Sequence, residues 1–434
     1  MRLLFDARYT RTPRHDGISR YGAGVLAGLL RLTREDPEVQ VSALVSDEEQ
    51  LTMLPEVDWH RVSAPTSPRE PLLAAQINPL RPDVVFSPMQ TMGTWGRDYG
   101  LILTLHDLIY YSHPTPPRDM PAPVRGLWRL YHLAYWPQRL LLDRADAVAT
   151  VSETTASLIA EHRLTRRPVT VVPNAADPLA PPAARPSGHD ARALVYMGSY
   201  LPYKNVETLI RALAHLPGYT LHLVSRATPE IEARLRGLVP DCARVVFHRG
   251  LGDEEYARLL DGATALVSAS RAEGFGLPVV EAMARGLPVV LTDMPIFREI
   301  TQGAPAARFF DPQAPADLAA RVRELEDAEA WAAAAEAAPA RAAAFSWDDS
   351  AARLLDLARE VHALRSGACC PGACDPGASG GRGCAEGVGR IPRPTPSLAS
   401  RTVGPPRRIL SPVRRPRPRR LRPTAAGSSR AGPV

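Results

Sequence analysis

The sequence predicts an α/β protein of two Rossmann-like, doubly wound domains facing each other across a cleft, followed by a disordered C-terminal tail. Three observations carry this prediction. Short apolar strands alternate with helical patterns. The alternation stops at a proline-rich stretch and then begins again. After about residue 365 the composition changes abruptly. Such alternation implies a parallel sheet covered on both faces, because each parallel crossover lays a helix over the strands.

The first domain is assigned to residues 1–177. Residues 2–7 read as a strand, a polar loop holds Asp16-Gly17, and residues 18–32 read as a helix. Gly22, Gly24 and Gly28 lie inside that helix, not at its mouth, where a dinucleotide-binding loop needs its glycines. They are therefore read as helix-packing glycines. Further strands are predicted at 39–46, 84–87, 101–106, 147–152 and 169–172, with helices at 127–142 and 154–161. Pro173-Asn174 closes the last strand, and residues 178–186 form a stiff, proline-rich linker.

A second domain, 187–345, repeats the style. Strands are predicted at 194–197, 220–224, 245–247, 265–268 and 289–291, with helices at 209–216, 231–238, 254–260 and 278–285. Residues 317–364 are helical and Ala-rich, and 346–365 are expected to return over the first domain.

The 434-residue chain has a net charge of +6, but the charge is unevenly spread. The segment 366–434 holds 13 arginines against Asp375 and Glu386, or +11, which leaves the first 365 residues at 6 − 11, or −5. The basic balance belongs to the tail and says little about the partners of the body. Pro, Gly and Arg dominate the tail, so it is predicted to be disordered. Its 407–422 arginines suit an anionic membrane or nucleic acid, or no partner at all; nucleic acid is not favoured for the body. Four of the five cysteines, Cys369, Cys370, Cys374 and Cys384, also lie in the tail, and Cys242 is the one in the body. That usage excludes a disulfide framework and fits the cytosol. Asp6 interrupts the short apolar start, so no signal peptide is read, and no run of about 18 apolar residues is present to span a bilayer. A cytoplasmic protein is expected, with peripheral contact on the inner face of the membrane left open.

Residues 273–281, Glu-Gly-Phe-Gly-Leu-Pro-Val-Val-Glu, are the most informative segment. A strand-like run precedes them, and Pro278 suits the start of a helix. A Gly-rich turn at a helix N-terminus offers free backbone N–H groups and the positive end of a dipole, which suits phosphate. Acids on either side of such a cradle suit sugar hydroxyls. The competing reading of Glu281 is an ordinary first-turn acid. Lys204 is the only lysine in the chain and lies at a second strand-to-helix turn, 196–205. A compact ammonium suits a diphosphate; a chance surface lysine is the alternative. His106 ends a strand and is followed by Asp107, which could orient its ring, although a histidine at a strand end is more often a satisfied structural residue.

These segments resemble the family 4 glycosyltransferases of the GT-B fold class, over roughly residues 1–365. The resemblance rests on the Glu-x7-Glu segment and its continuation Ala-Met-Ala-Arg-Gly-Leu-Pro-Val-Val, on Gly198-Ser-Tyr-Leu-Pro-Tyr-Lys-Asn205, on Val172-Pro-Asn174, on His106-Asp107-Leu108 and on Asp16-Gly17-Ile-Ser-Arg-Tyr21. It implies a retaining hexosyltransferase that uses a GDP- or UDP-linked sugar. Mannose is the first expectation, because the variants are similar to those of bacterial mannosyltransferases of surface polysaccharide synthesis. By the same resemblance Lys204 and the backbone of Gly274, Phe275, Gly276 and Leu277 hold the diphosphate, and Gly17 approaches it. Glu273 meets the transferred sugar, Glu281 the ribose, and His106 faces the sugar from the other domain. Ser199 stands in the donor loop where many members carry a phosphate-binding arginine, so Lys204 is expected to act with Arg271 or Arg226, or with less charge. No Asp-x-Asp pair is present to hold Mg²⁺, and no metal or other cofactor is expected. The acceptor is read only as a glycan or lipid-linked hydroxyl. Arginines and aromatics at 118–144 fit either an anionic membrane surface or a plain amphipathic helix over the sheet. A nucleotide-sugar binding protein without transfer is the alternative function.

Overall fold

The computed structural model describes residues 1–116, 122–177 and 188–367. The linker at 178–186, Arg118 and the tail from 368, with its four cysteines, lie outside the described residues. Two all-parallel sheets form the body. The first contains β1 (Arg2–Asp6), β2 (Gln40–Val45), β3 (Trp59–Arg61), β4 (Val84–Ser87), β5 (Gly100–Leu105), β6 (Ala147–Thr150) and β7 (Val169–Val171), in the order β3-β2-β1-β4-β5-β6-β7. The second contains β8 (Ala193–Tyr196), β9 (Thr220–Leu223), β10 (Arg244–Phe247), β11 (Ala265–Ser268), β12 (Val289–Thr292) and β13 (Ala307–Phe310), in the order β10-β9-β8-β11-β12-β13. Central strands such as β5, β6, β11 and β12 are buried along their whole length, as a sheet covered on both faces requires.

Each sheet has one point where strand order reverses, between β1 and β4 and between β8 and β11. Loops leaving neighbouring strands there diverge to opposite faces and leave a crevice at the carboxyl ends, where ligands of such sheets bind. The loops after β8 and β11 are those that carry Lys204 and Glu273.

The strands β3 and β13 were not anticipated. Only Trp59 is apolar in β3, and the strand lies half-exposed at the sheet edge, so periodicity offers no signal. The expected 127–142 helix is broken into Ala122–Tyr131 and Trp136–Leu142. Pro137 explains the break, because proline removes a helical N–H and is tolerated only in a first turn, where it now sits. Residues 317–364 likewise resolve into three helices, Pro315–Arg323, Ala328–Ala342 and Trp347–Ser366.

The Trp347–Ser366 helix packs along the Gly17–Thr33 helix. The glycines of that helix make the approach possible. A Cβ on Gly24 would stand 2.3 Å from the Trp347 ring, and one on Gly28 would stand 2.6 Å from the Trp347 carbonyl oxygen. Leu354, Ala358 and Val361 bury the remainder of the seam with the first sheet. Ser350 Oγ donates to the Pro173 carbonyl at 2.7 Å, tying the same helix to the end of the first domain.

Candidate active site

The second-sheet side of the site is built by two loops. After β8 the chain makes a short 3₁₀ turn, Pro202–Lys204, and Asn205 adopts the left-handed conformation (φ 53°) that starts the next helix. Asn205 holds the turn by donating to the Pro312 carbonyl at 3.0 Å. After β11 the chain runs through Ser270 to Gly276, whose φ of +100° favours glycine, and into the Leu277–Ala284 helix with Pro278 in its first turn. The Arg271 N–H donates to the Tyr203 carbonyl at 2.8 Å and joins the two loops. The side chains meet where the loops meet. Lys204 Nζ lies 2.6 Å from Glu273 Oε1, and Ser270 Oγ donates to the same oxygen at 2.7 Å. Both charged side chains are largely buried.

The first domain closes over this pair. The Gly274 backbone lies against His106, where an added Cβ would stand 2.6 Å from the His106 carbonyl oxygen. Ser152 Oγ donates to the Gly274 carbonyl at 2.9 Å. Farther along, the Glu299 carboxylate accepts from the N–H groups of Glu153 and Thr154 at 2.8 Å each, at the N-terminus of the Glu153–Glu161 helix. A carboxylate is favoured there by the free N–H groups and the helix dipole.

Between the domains lies a cavity of about 700 Å³. Its walls include Gly17, His106, Ser199, Lys204 and Glu273 through Leu277, nine of the ten residues singled out from the sequence. The tenth, Glu281, does not line it. Glu281 lines a separate hollow with Asp177 and Trp347, and its Oε1 lies 3.2 Å from Arg20 Nη1. It also falls beyond the first turn of its helix, so the dipole does not explain it. Burial pushes its carboxyl up to about 7, with Arg20 opposing and Asp177 and Asp253 reinforcing the rise. A larger groove of about 810 Å³, lined by Glu70, Trp95 and Arg144, contains none of the singled-out residues.

His106 is oriented differently from the expectation. Its Nε2 lies 2.7 Å from the Pro88 carbonyl, which fixes that nitrogen as the donor and leaves Nδ1 as the acceptor. Asp107 does not hold the ring; its Oδ1 accepts from the Ile109 N–H at 2.9 Å. Burial lowers the His106 pKa and raises that of Asp107, favouring a neutral imidazole. Neither Arg271 nor Arg226 lines the cavity, and Arg271 instead reaches Asn205 Oδ1 at 3.3 Å. Arg11, Asp107, Tyr110 and Tyr203 do line it. The sequence reading gave Arg11, Tyr110 and Tyr203 no role in the site; Tyr203 adjoins Lys204 in the chain, but nothing in the spacing of Arg11 and Tyr110 places them beside it. Among the described residues, no group of three or more His, Cys, Asp or Glu side chains is placed to hold a metal ion.

Two family models match the chain: "Glycosyl transferases group 1" over residues 182–341 and "Glycosyltransferase Family 4" over residues 41–178. The chain belongs to the family 4 glycosyltransferases. It is 32% identical over 158 residues to the serotype-specific mannosyltransferase WbdA of Escherichia coli, a match covering 35% of this chain and 18% of WbdA. It is 34% identical over 113 residues to the O-antigen chain mannosyltransferase RfbU of Salmonella typhimurium, covering 25% of this chain and 32% of RfbU. The matches thus span less than a third of either relative's length. Among solved structures, sucrose-phosphate synthase from Thermosynechococcus elongatus is similar with a TM-score of 0.65 at 18% identity, over 84% of this chain and 99% of that one. HepE from Anabaena, solved with UDP and glucose, is similar with a TM-score of 0.61 at 18% identity, over 83% of this chain and all of that one. These likenesses establish the GT-B fold.

Proposed function

We propose that this glycosyltransferase moves a hexose, mannose in the first instance, from a GDP- or UDP-linked donor to a hydroxyl of a glycan or lipid-linked acceptor, with retention of anomeric configuration. The observation that carries the proposal is the meeting of Lys204 and Glu273, 2.6 Å apart beside a Gly-rich helix start, in a cavity that His106 walls from the other domain. Mannose is favoured by the printed functions of WbdA and RfbU. HepE, solved with UDP and glucose, supports a nucleotide-sugar donor.

The arrangement divides the chemistry between the two loops. As the anomeric bond breaks, negative charge grows on the leaving diphosphate. Lys204 and the N–H groups around Gly276 and Leu277 stabilise that charge, preorganised in the cleft between the domains. Glu273 stays anchored by Ser270 and is free to accept hydroxyls of the transferred sugar. Neutral His106 offers Nδ1 to another sugar hydroxyl. The acceptor hydroxyl enters from the face of the leaving group and passes its proton to the departing phosphate oxygen, so no protein nucleophile is required.

An exposed apolar surface on the first domain favours a membrane-linked acceptor. Leu127, Leu130, Leu133 and Trp136 are each more than 60% exposed, and Arg125, Arg129 and Arg139 are interleaved with them. Such a surface suits the headgroup region of an anionic bilayer beside a lipid-linked acceptor. Among the described residues, no helix is long and apolar enough to cross a membrane.

A panel of GDP- and UDP-sugars in thermal shift, followed by transfer to a lipid-linked glycan and NMR assignment of the new linkage, tests the proposal. Stabilisation by one nucleotide sugar and a product of the donor's own anomeric configuration are expected. Stabilisation without any transfer or hydrolysis would leave a binding protein instead.

A further inference from the structure

We propose that Arg20 is a positioning residue of the donor site: from the first domain, its guanidinium holds and aims the Glu281 carboxylate that receives the donor's ribose hydroxyls. This rests on the proposed function and on the ribose-binding role that the family resemblance implies for Glu281.

Arg20 lies early in the Gly17–Thr33 helix, at the end where the helix dipole disfavours a cation. Three acids from three other segments compensate. Arg20 Nη1 is 3.2 Å from both Asp177 Oδ2 and Glu281 Oε1, and Nη2 is 3.5 Å from Asp253 Oδ1. Asp177 follows β7, Asp253 begins the Asp253–Asp261 helix, and Glu281 belongs to the helix that starts the phosphate cradle. Arg20 is thus the link by which one domain reaches the ribose-side acid of the other.

Arg20, Asp177, Asp253 and Tyr256 act on the Glu281 carboxyl, and Arg31, Arg285 and Asp348 line the same hollow. Arg285 is paired with Asp261 and Arg31 with Asp348, and Arg20 is the cation in ion-pair contact with Glu281. The Tyr256 hydroxyl approaches the carboxyl without closing a well-aligned hydrogen bond. Glu281 is 6% exposed, so an ionised carboxylate without Arg20 would face two aspartates in a desolvated place and take up a proton. A protonated carboxyl carries a donor where a second acceptor is needed. It no longer matches two vicinal hydroxyls, which both donate. Because Arg20 and Glu281 belong to different domains, the ribose site is complete only when the domains face each other.

The test uses the full chain and the nucleotide sugar that the wild type binds, with donor affinity measured by calorimetry between pH 6 and 9. Arg20→Ala is expected to weaken binding about tenfold or more at pH 7, to recover affinity towards pH 9, and to raise donor KM more than it lowers kcat; Arg20→Lys loses less. Asp253→Asn removes an opposing carboxylate and is expected to extend tight binding to lower pH. If Arg20→Ala does not fold, Arg20→Gln is read in the same way. Wild-type affinity for Arg20→Ala at every pH, or a loss independent of pH that Arg20→Lys shares in full, overturns the inference. If Glu281→Gln loses the donor while Arg20→Ala keeps it, this inference alone falls. If the wild type binds no nucleotide sugar, the proposed function falls and takes this inference with it.

Discussion

Replacing Glu281 by glutamine tests the electrostatics of the site without any substrate. Burial raises the Glu281 carboxyl from its ordinary 4.5 to about 7 in the folded protein. A carboxyl that holds its proton more tightly when folded contributes most below its unfolded value. That contribution is lost as pH rises from 4.5 through 7, because the unfolded chain releases the proton first. At about 1.36 kcal/mol per pKa unit, the 4.5-to-7 rise makes the loss about 3 kcal/mol by pH 8. Glu281→Gln keeps the shape and removes the titration. Thermal midpoints of wild type and variant, taken in steps from pH 4.5 to 8.5, give a difference in which all other titrations cancel. That difference should grow in favour of the variant between pH 4.5 and 7 and then level off. A difference that stays flat, or that grows towards acid, would refute a desolvated Glu281.

Lys204→Ala should lower kcat by roughly 10²–10³ with the fold intact, since it removes one preorganised group from the leaving diphosphate; near-normal turnover removes Lys204 from the mechanism. Gly274→Ala places a Cβ 2.6 Å from the His106 carbonyl oxygen, and overpacking of this kind costs about 1–3 kcal/mol. Donor affinity should fall about 10- to 100-fold while each domain stays folded, as read by calorimetry and circular dichroism. Glu299→Ala removes the carboxylate that bridges the domains at Glu153 and Thr154, a loss of about 1.5–3 kcal/mol that should appear as a lower thermal midpoint. Leu127→Ser combined with Leu130→Ser should abolish sedimentation with vesicles containing anionic lipid, leaving donor affinity unchanged; unchanged sedimentation would remove the membrane surface from the proposal.

The sequence by itself determined the fold class and nine of the residues that line the cleft. Two physical facts made them legible. Parallel sheets buried on both faces write continuous apolar runs, and phosphate cradles require glycines at a helix start. The inner glycines Gly24 and Gly28 were also readable as packing positions, and Trp347 fills the space that they leave. Other features had no local signal. The edge strand β3 carries one apolar residue. The Pro88 carbonyl that fixes the His106 ring is 18 residues away in sequence, and Asp107, next to that histidine, is occupied by the Ile109 N–H. Arg20 and Glu281 are 261 residues apart, and Lys204 and Glu273 are 69 apart. Tertiary structure alone decided that Lys204 meets Glu273 and that Arg20 reaches Glu281 from the other domain. Such contacts depend on the order of strands in a sheet and on the approach of two domains, and no spacing along one segment records either.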